Sequence, residues 1–367
     1  MNWGKLFAKI ERSFIYITFF FGAVLLLSYL SPLVSPQLFW PLAFLGLSYL
    51  LLLFINLFFC VYWAIRLKKY FFIPAISILL GWSVLLNNIG FSRSPDISPV
   101  LSGFHLKLMT YNVHDFKTMD VPVNLPAYKQ IVKLVGSTQP DIIGFEEFYS
   151  QYSRFRICDS LKKTLHTSQF YFEPFKITRY DSTGLALFSK YPIINKGIVR
   201  LSNERNDNQG IYIDIKYKSQ IIRIYCFHLR SLELDPEDYQ NLNNFSHKAK
   251  INLTGIAKVI SKIKESFIVR GQQSELIRST VSKCPYPFVL LGDLNDTPNS
   301  YALHELKMQN AFREKGTGFG TTFNGGFASF QIDYILLSQQ FKVLNYSIIR
   351  KNISDHYPVS SNVTLTK

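Results

Sequence analysis

The chain has 367 residues and a formal net charge of +15 at pH 7, and 48% of its residues are hydrophobic. Its length could hold two average domains, but the first quarter is too apolar to be a globular one. The four cysteines include no C-x-x-C pair, which argues against a zinc site. Cys60 falls in an apolar segment. One disulfide is possible among Cys158, Cys226 and Cys284, but the sequence does not determine the pair.

Residues 1–90 predict a membrane anchor with three transmembrane helices. No charged residue occurs between Arg12 and Arg66 or between Lys69 and Arg93, and a spanning helix needs about 20 mostly apolar residues. A cleaved signal peptide is the alternative for the first segment, but its apolar stretch is too long and two further segments follow. The three predicted spans are 13–30, 39–65 and 71–88.

Basic residues beside these spans predict the orientation of the anchor. They lie in the N-terminal tail and in the second loop, whereas the first loop has no charge. The positive-inside rule places the basic segments in the cytoplasm, so three crossings put everything after residue 90 on the extracytoplasmic side, periplasmic or extracellular. The residues concerned are Lys5, Lys9, Arg12, Arg66, Lys68 and Lys69.

A linker over 91–104, which contains two Ser-Pro pairs, should lead to a catalytic domain over 105–367. The first 90 residues contain six basic residues and one acidic residue, a net charge of +5, so residues 91–367 carry the remaining +10. This excess is either a solvated basic surface or an attraction to a polyanion, nucleic acid or an anionic lipid face.

In chain order, the apolar pattern predicts a strand, an amphipathic helix, a strand and a helix over 105–113, 125–137, 141–145 and 158–165. Further strands are predicted over 169–172, 185–189, 211–217, 221–227, 288–291, 331–337 and 359–365. A long helix over 246–282, with a break at Val269–Gly271, precedes the last three strands. Its lysines predict a solvated face, with polyanion contact as the alternative; they are Lys248, Lys250, Lys258, Lys262 and Lys264.

The fold class follows from this order of elements. Strands outnumber helices, and the polar motifs fall at strand ends. We therefore expect an α/β fold, a four-layer α/β-sandwich in which two packed β-sheets are flanked by helices, preceded by the three transmembrane helices.

Two of the polar motifs follow apolar strands in the first half of the domain. Glu147 follows such a run beside Glu146, and because neighbouring strand residues face opposite ways, only one of the two can point into a site. A carboxylate at a strand end suits Mg²⁺, although a surface acid pair is the plainer interpretation. Asn112 also ends a strand, where an Asn commonly caps a turn.

The second half adds an acid/base set. Asp293 and Asn295 lie two residues apart, so an extended backbone would turn both toward a phosphate, with a plain turn as the alternative. Asp333 could orient His356 through a ring nitrogen and raise its basicity, and Asp355 adjoins that histidine. His228 also ends a strand and could bind the phosphate as a donor, although a lone histidine of this kind is more often structural. The remaining histidines, read as incidental, are His105, His114, His166, His247 and His304.

Taken in order, these motifs closely resemble the endonuclease/exonuclease/phosphatase superfamily, which includes deoxyribonuclease I, exonuclease III, neutral sphingomyelinases and inositol polyphosphate 5-phosphatases. The resemblance covers about residues 105–367, and the chain looks like a membrane-anchored bacterial-type member. It implies Mg²⁺-dependent hydrolysis of a phosphoester by in-line water attack, with Mn²⁺ as an alternative metal. The implied metal-binding residues are Asn112, Glu147 and Asp355, and the implied catalytic residues are His228, Asp293, Asn295, Asp333 and His356.

The resemblance also implies a role for each catalytic residue. Asp293 would position or activate the water, and Asn295 would stabilise the charge that develops on the phosphorus centre. His228 would contact the scissile phosphate. His356, oriented by Asp333, would act as an acid/base or as a phosphate ligand. Asp355 would support the metal and its waters.

One position departs from the pattern, because many relatives carry Arg where this chain has Gln331. The predicted function is a membrane-tethered phosphodiesterase of nuclease type, with a phospholipid- or sphingomyelin-type phosphodiesterase or a phosphatase as the alternative. A non-catalytic binding or signalling module is the alternative from another class. The expected partners are the membrane and a phosphoester substrate, either nucleic acid or phospholipid, and no protein partner can be inferred.

Overall fold

A computed structural model describes residues 3–92, 105–116, 127–151, 157–202, 208–235, 237–241, 252–325 and 329–366. Its helices are α1 (Trp3–Ser28), α2 (Pro36–Phe39), α3 (Pro41–Leu47), α4 (Tyr49–Ile65), α5 (Phe72–Leu80), α6 (Trp82–Asn88), α7 (Ala127–Thr138), α8 (Ile157–Leu165), α9 (237–241), α10 (Leu253–Val281), α11 (Tyr301–Leu306) and α12 (Ala311–Lys315). The strands are β1 (Ile89–Phe91), β2 (Leu106–Asn112), β3 (Ile142–Gln151), β4 (Gln169–Ile177), β5 (Asp181–Ser189), β6 (Ile193–Arg200), β7 (Gln209–Tyr217), β8 (Gln220–His228), β9 (Phe288–Asp293), β10 (Gln309–Asn310), β11 (Thr317–Phe319), β12 (Asp333–Leu337), β13 (Phe341–Val343), β14 (Ser347–Ile348) and β15 (Val359–Leu365).

Most strands after the anchor form two stacked sheets. One has the order β10-β12-β9-β8-β7-β6, and the other has the order β13-β15-β2-β3-β5-β4, with β14 paired to β15. The pairs β2–β3 and β8–β9 are parallel, and the other pairs in these sheets are antiparallel. The parallel pairs bring strand ends that are far apart in sequence to one edge.

Strand β8 shows why the sequence folds into layers. Its alternate residues Ile224 and Cys226 belong to the core between the two sheets, whereas Tyr225 and Phe227 belong to the core on the outer face. A strand covered on both faces is apolar along most of its length. Helices α10 and α11 cover that outer face, and α7 and α8 cover the outer face of the second sheet. The predicted α/β arrangement of sheets flanked by helices is confirmed.

Three expectations about the elements need correction. Strand β6 was not predicted, because its sequence includes Asn195, Lys196 and Gly197 and several of its residues are exposed. Helix α10 runs unbroken through Gly271, since that glycine allows close contact with the Tyr301 ring, 3.3 Å from an ideal Cβ, rather than ending the helix. Phe91, the first residue of the predicted linker, instead ends β1, which pairs with β11. Residues 93–104 and the predicted helical residues 246–251 lie outside the described part.

Among the described residues, one stretch, Lys9–Leu33, is a helix long and apolar enough to cross a membrane. The other two predicted spans are bent pairs of helices. Helices α3 and α4 meet at 63°, and the helical stretch Lys69–Leu80 meets α6 at 65°. Up to three spans result if each bent pair counts as one, so the second and third spans stay predictions.

The helices of the anchor also contact one another. The Trp63 indole donates to the Thr18 hydroxyl at 2.8 Å and connects α4 to α1.

The anchor contacts the catalytic domain near one end of its helices. The Asn299 side chain donates to the Ser28 carbonyl at 3.1 Å, and Arg313 donates to the Asn87 side chain at 2.7 Å. At the opposite end of the helices, Lys68 lies 2.9 Å from Glu11. The basic ends of the helices and the catalytic domain therefore lie on opposite sides of the anchor.

Candidate active site and metal centre

The polar residues predicted from the sequence meet at one edge of the two sheets. Asn112 ends β2, and His228 and Asp293 end the parallel strands β8 and β9, where they are register partners. Asp333 begins β12 directly opposite Asp293. Side chains at the ends of strands in a packed sandwich are held rigidly, which is what a catalytic arrangement needs.

A bulge in β3 brings Glu147 into this edge. The pairing of β3 with β5 shifts register between Phe145 and Phe148, and Glu147 takes a left-handed conformation with φ of 49°. Glu146 points the other way and is fully buried between the sheets, where it accepts from Thr110 at 2.9 Å. A β-bulge commonly redirects one side chain beside a functional site, so one acid of the pair lies in the cleft and the other in the core.

Asn112 holds two of the carboxylates in place. Its amide nitrogen donates to Glu147 at 3.1 Å and to Asp293 at 3.0 Å. Its amide oxygen accepts the backbone N–H of His114 at 3.0 Å. In this orientation Asn112 positions the neighbouring acids, and its role as a direct metal ligand stays a prediction.

His114, which the sequence interpretation set aside as incidental, lies between two acids of the site. Its Nδ1 is 3.3 Å from Asp355 and 3.6 Å from Glu147. Burial alone would raise the pKa of Glu147, but hydrogen bonding to His114, the charge of His228 and the Asn112 amide lower it to about 2. The only sequence signal for His114 was its place two residues after Asn112. In the structure His114 lies in a turn, with φ of 44°.

The acids of this cleft fit a divalent cation. Glu147 and Asp355 are hard oxygen donors that flank one imidazole, and Mg²⁺ prefers one or two carboxylates together with water. Donor atoms of Asp293, Asp333 and His356 also lie within 4.8 Å of one another. In that second group the Asp333 carboxylate is already hydrogen-bonded to the His356 ring. Glu147 and Asp355 are therefore the better candidates for metal ligands.

Asp293 lies at the floor of the cleft and is almost fully buried. Its Oδ1 accepts the backbone N–H of Asn295 at 2.9 Å. Its Oδ2 is 3.6 Å from Nε2 of His356 and 3.8 Å from Nε2 of His228. Burial raises the pKa of Asp293 above its ordinary value, with Asp333 adding to the rise and the two imidazoles opposing it. A carboxylate with a raised pKa is suited to proton transfer near neutral pH.

Asp333 and His356 form the predicted pair. Nδ1 of His356 is 3.1 Å and 2.9 Å from the two carboxylate oxygens of Asp333. Burial by itself would lower the pKa of His356, but the charges of Asp333 and Asp293 outweigh it and hold the pKa well above its ordinary value. The ring is therefore fixed in orientation, and its Nε2 faces Asp293.

Asn295 reaches the cleft by a route that the sequence interpretation had wrong. The strand ends at Asp293, and Asn295 has a left-handed φ of 52°, so the two residues do not lie on a common extended backbone. The Asn295 amide nitrogen donates to the Leu229 carbonyl at 3.0 Å. The Asp293 carboxylate closes this turn, and both side chains line the same cleft.

The cleft has a volume of about 310 Å³ and an acidic floor with largely apolar walls. Arg270 is the only Arg or Lys among the described residues that line it. Its guanidinium donates to Asp296 at 2.9 Å and to the Arg230 carbonyl at 3.0 Å. The sequence interpretation missed Arg270, although its place directly after the apolar run Phe267–Val269 was a signal for a buried partner.

Gln331, which stands where many relatives have Arg, supplies no charge to the site. Both polar atoms of its side chain are buried, and neither has a hydrogen-bond partner among the described residues. Its backbone carbonyl accepts the Tyr334 hydroxyl at 2.8 Å. Among the described residues that line the cleft, the one guanidinium is that of Arg270 on α10.

Comparison with known families agrees with this geometry. Residues 109–356 match the model of the endonuclease/exonuclease/phosphatase family. The chain belongs to this family. Residues 11–88 match a separate model, described as a domain of unknown function (DUF8431). No curated protein matches the sequence.

Solved structures share the fold at low sequence identity. An endonuclease/exonuclease/phosphatase from Beutenbergia cavernae is 16% identical, with a TM-score of 0.52, covering 71% of this chain and 72% of that one. A family protein from Leptotrichia buccalis is 16% identical, with a TM-score of 0.50 and coverages of 71% and 100%. The human Nocturnin catalytic domain, solved with a bound sulfate anion, is 14% identical, with a TM-score of 0.50 and coverages of 71% and 95%. At these identities the likeness shows the fold alone.

Proposed function

We propose that the chain is a membrane-anchored, divalent-metal-dependent phosphoesterase that hydrolyses its substrate by in-line attack of water. The family to which it belongs acts on phosphoesters. The observation that carries the proposal is the position of Asp293. This buried carboxylate lies 3.6 Å and 3.8 Å from the Nε2 atoms of His356 and His228, in the cleft that also contains Glu147 and Asp355.

Glu147 and Asp355 would hold the metal, Mg²⁺ or Mn²⁺, and Asn112 would orient Glu147. When bound, such an ion supplies Lewis-acid stabilisation of the negative charge on the phosphoryl oxygens. The low pKa of Glu147 keeps that carboxylate ionised at neutral pH, as a ligand to a hard cation must be.

The chain's own residues supply the acid/base chemistry. Asp293 accepts a proton from the attacking water, whose oxygen forms the new bond to phosphorus as the ester P–O bond breaks. His356, held by Asp333, donates a hydrogen bond or a proton from Nε2 to the phosphoryl group or the leaving oxygen. His228 and Asn295 provide further donors for the charge that develops.

The anchor is proposed to cross the membrane three times, with the N-terminus in the cytoplasm. Glu11 lies 3.8 Å from Arg66 and 2.9 Å from Lys68, so the N-terminal part of α1 and the turn after α4 share one end of the anchor. The catalytic domain contacts the other end, through Ser28 and Asn87. Under the positive-inside rule, this arrangement supports an extracytoplasmic catalytic domain.

Nucleic acid is one candidate substrate, favoured by the net charge of +10 over residues 91–367. Nonspecific binding to nucleic acid depends on basic residues that are free to contact phosphates. Two lysines of α10 that were considered for this role, Lys258 and Lys262, each lie 3.1 Å from Asp235. Nuclease activity is therefore the alternative to hydrolysis of other phosphodiesters.

The experiment is hydrolysis of bis(para-nitrophenyl) phosphate by the full chain in detergent, with Mg²⁺. Asp293→Ala should lower kcat by at least about 10²-fold, the usual contribution of a general base. Asp159→Ala, which removes an exposed acid on α8, is the matched control and should retain the wild-type rate. A folded Asp293→Ala protein with wild-type kcat would refute the proposal.

A further inference from the structure

One wall of the catalytic cleft comes from the anchor and not from the catalytic domain. Leu47, the last residue of α3, lines the same cleft as Asp293 and His356. Phe44 of the same helix packs edge-on against Phe267 of α10, with ring centroids 5.2 Å apart. The anchor is thus part of the site as well as a tether.

This wall is seated tightly against the catalytic domain. An ideal Cβ on Gly46 would lie 2.1 Å from the Ser31 hydroxyl oxygen and 2.6 Å from the Asn299 carbonyl oxygen. Only a residue without a side chain allows α3 to approach the backbone at Asn299 so closely. The Trp40 ring lies under the Lys264 ammonium at 5.3 Å, which adds a second contact between this part of the anchor and α10.

The cleft combines an acidic floor with apolar walls, and through Leu47 it borders α3 of the anchor. Just before α3 in the chain, Leu33, Leu38 and Phe39 are exposed by 60%, 82% and 52%. Exposed apolar side chains beside a membrane helix belong at the bilayer surface. The apolar residues of the cleft wall include Leu47, Leu232, Leu234, Phe267, Phe323 and Phe330.

Among the described residues, the basic side chains of the cleft and of α10 that pair with acids do not favour a polyanion. Arg270 is engaged by Asp296 at 2.9 Å, and Lys258 and Lys262 of the same helix are engaged by Asp235. Binding sites for single-stranded nucleic acid instead combine a positively charged groove with exposed aromatic rings. An apolar wall continuous with a membrane anchor fits a hydrocarbon chain.

We propose that the substrate is a phosphoester of a membrane lipid, with its phosphate over the acidic floor and its apolar chain along Leu47 and Phe267. This inference rests on the proposed phosphoesterase activity and names its substrate class. The lipid enters from the bilayer surface beside α2 and α3, so its chain need not leave an apolar environment. Leu47 is thereby a specificity residue supplied by the anchor.

The test uses two phosphodiesters that share one reacting centre. Hexadecyl para-nitrophenyl phosphate is incorporated in phosphatidylcholine nanodiscs together with the full chain, and ethyl para-nitrophenyl phosphate is added in solution, with Mg²⁺ present. For the wild type, kcat/KM should be at least about tenfold higher for the hexadecyl ester, the scale of discrimination that an apolar pocket provides. Leu47→Gln should lower this ratio at least about tenfold, and the milder variant Leu47→Ala should lower it about threefold.

The matched control is Leu51→Gln, because Leu51 is 61% exposed on α4 and does not line the cleft. It should keep the wild-type ratio. A preference for the hexadecyl ester that survives in folded Leu47→Gln would mean that tethering alone concentrates the substrate, and would overturn the proposal. Equal rates for the two esters, or faster nicking of plasmid DNA than hydrolysis of the hexadecyl ester, would also overturn it. Hydrolysis of neither ester nor DNA would instead refute the phosphoesterase function itself.

Discussion

Asp333 fixes the orientation of the His356 ring and, together with Asp293, raises its pKa. Replacing the carboxylate by an amide, in Asp333→Asn, removes the negative charge that raises the pKa of His356 and leaves Nδ1 without an anionic partner. We expect kcat to fall by about 10²–10⁴-fold. If His356 works in its protonated form, the alkaline limb of the pH–rate profile should also move to lower pH. An unchanged profile would exclude His356 as the titrating acid.

Glu146 predicts a pH dependence of stability. Burial, reinforced by Asp333, raises the pKa of this carboxyl well above its ordinary value of 4.5. The unfolded chain therefore ionises first as the pH rises, and the folded state loses about 1.4 kcal/mol of stability per pH unit from about pH 4.5 up to the raised pKa. In EDTA, the thermal midpoint of Glu146→Gln should change less between pH 5 and pH 8 than that of the wild type. Parallel curves would contradict this account.

The sequence located most residues of the candidate site, but not their contacts. Asn112, Asp293 and His356 were recognisable because each follows or precedes an apolar strand in a known order. His114 and Arg270 were missed, since their roles depend on partners that are distant in sequence, such as Asp355 at 3.3 Å and Asp296 at 2.9 Å. The pattern of one strand cannot show which residue of another strand lies opposite.

At the scale of single elements, strands β8 and β9 approach each other so closely that Gly292 has no substitute. An ideal Cβ on Gly292 would lie 2.1 Å from the Phe227 carbonyl oxygen, and its φ of +155° is unfavourable for other residues. We expect Gly292→Ala to lower the free energy of unfolding by at least about 2 kcal/mol. Gly271→Ala is the control, because its nearest contact is the Tyr301 ring at 3.3 Å and alanine favours a helix. Equal thermal midpoints for the two variants would contradict the prediction.

Elements were predicted best where the apolar pattern was long and regular. Strand β15 has the predicted bounds 359–365, and the long helix α10 was recognised although its break was not real. The bulge in β3 and the turn at Asn295 were not predicted, because each depends on a local left-handed conformation that side-chain alternation does not reveal. Those two irregularities place Glu147 and Asn295 in the cleft.

At the scale of the whole molecule, the proposed topology predicts which loops are accessible from outside the cell. Leu38 and Leu67 are 82% and 93% exposed and lie at opposite ends of the anchor. In a chain whose native cysteines are replaced by serine, Leu38→Cys should react with a membrane-impermeant maleimide on intact spheroplasts. Leu67→Cys should react only after lysis. Labelling of Leu67→Cys on intact spheroplasts would contradict the orientation.

The anchor and the catalytic domain also differ in how much the sequence could predict about them. Hydropathy indicated three spans, whereas the described residues form one continuous helix that is long and apolar enough to cross a membrane and two bent pairs, at 63° and 65°. Their bends fall after Gly46 and at Gly81, and no apolar count detects a change of direction. The contact between α3 and the cleft joins two parts that the sequence suggested were separated by a linker.

The most direct test of the central claim is the metal dependence of hydrolysis by the full chain in detergent. The rate on bis(para-nitrophenyl) phosphate should fall to background in EDTA and return when Mg²⁺ is restored. Glu147→Gln, which removes one proposed ligand charge, should need about 10–100-fold more Mg²⁺ for half-maximal rate. Hydrolysis that continues unchanged in EDTA, or a Glu147→Gln protein with wild-type Mg²⁺ dependence, would contradict the account.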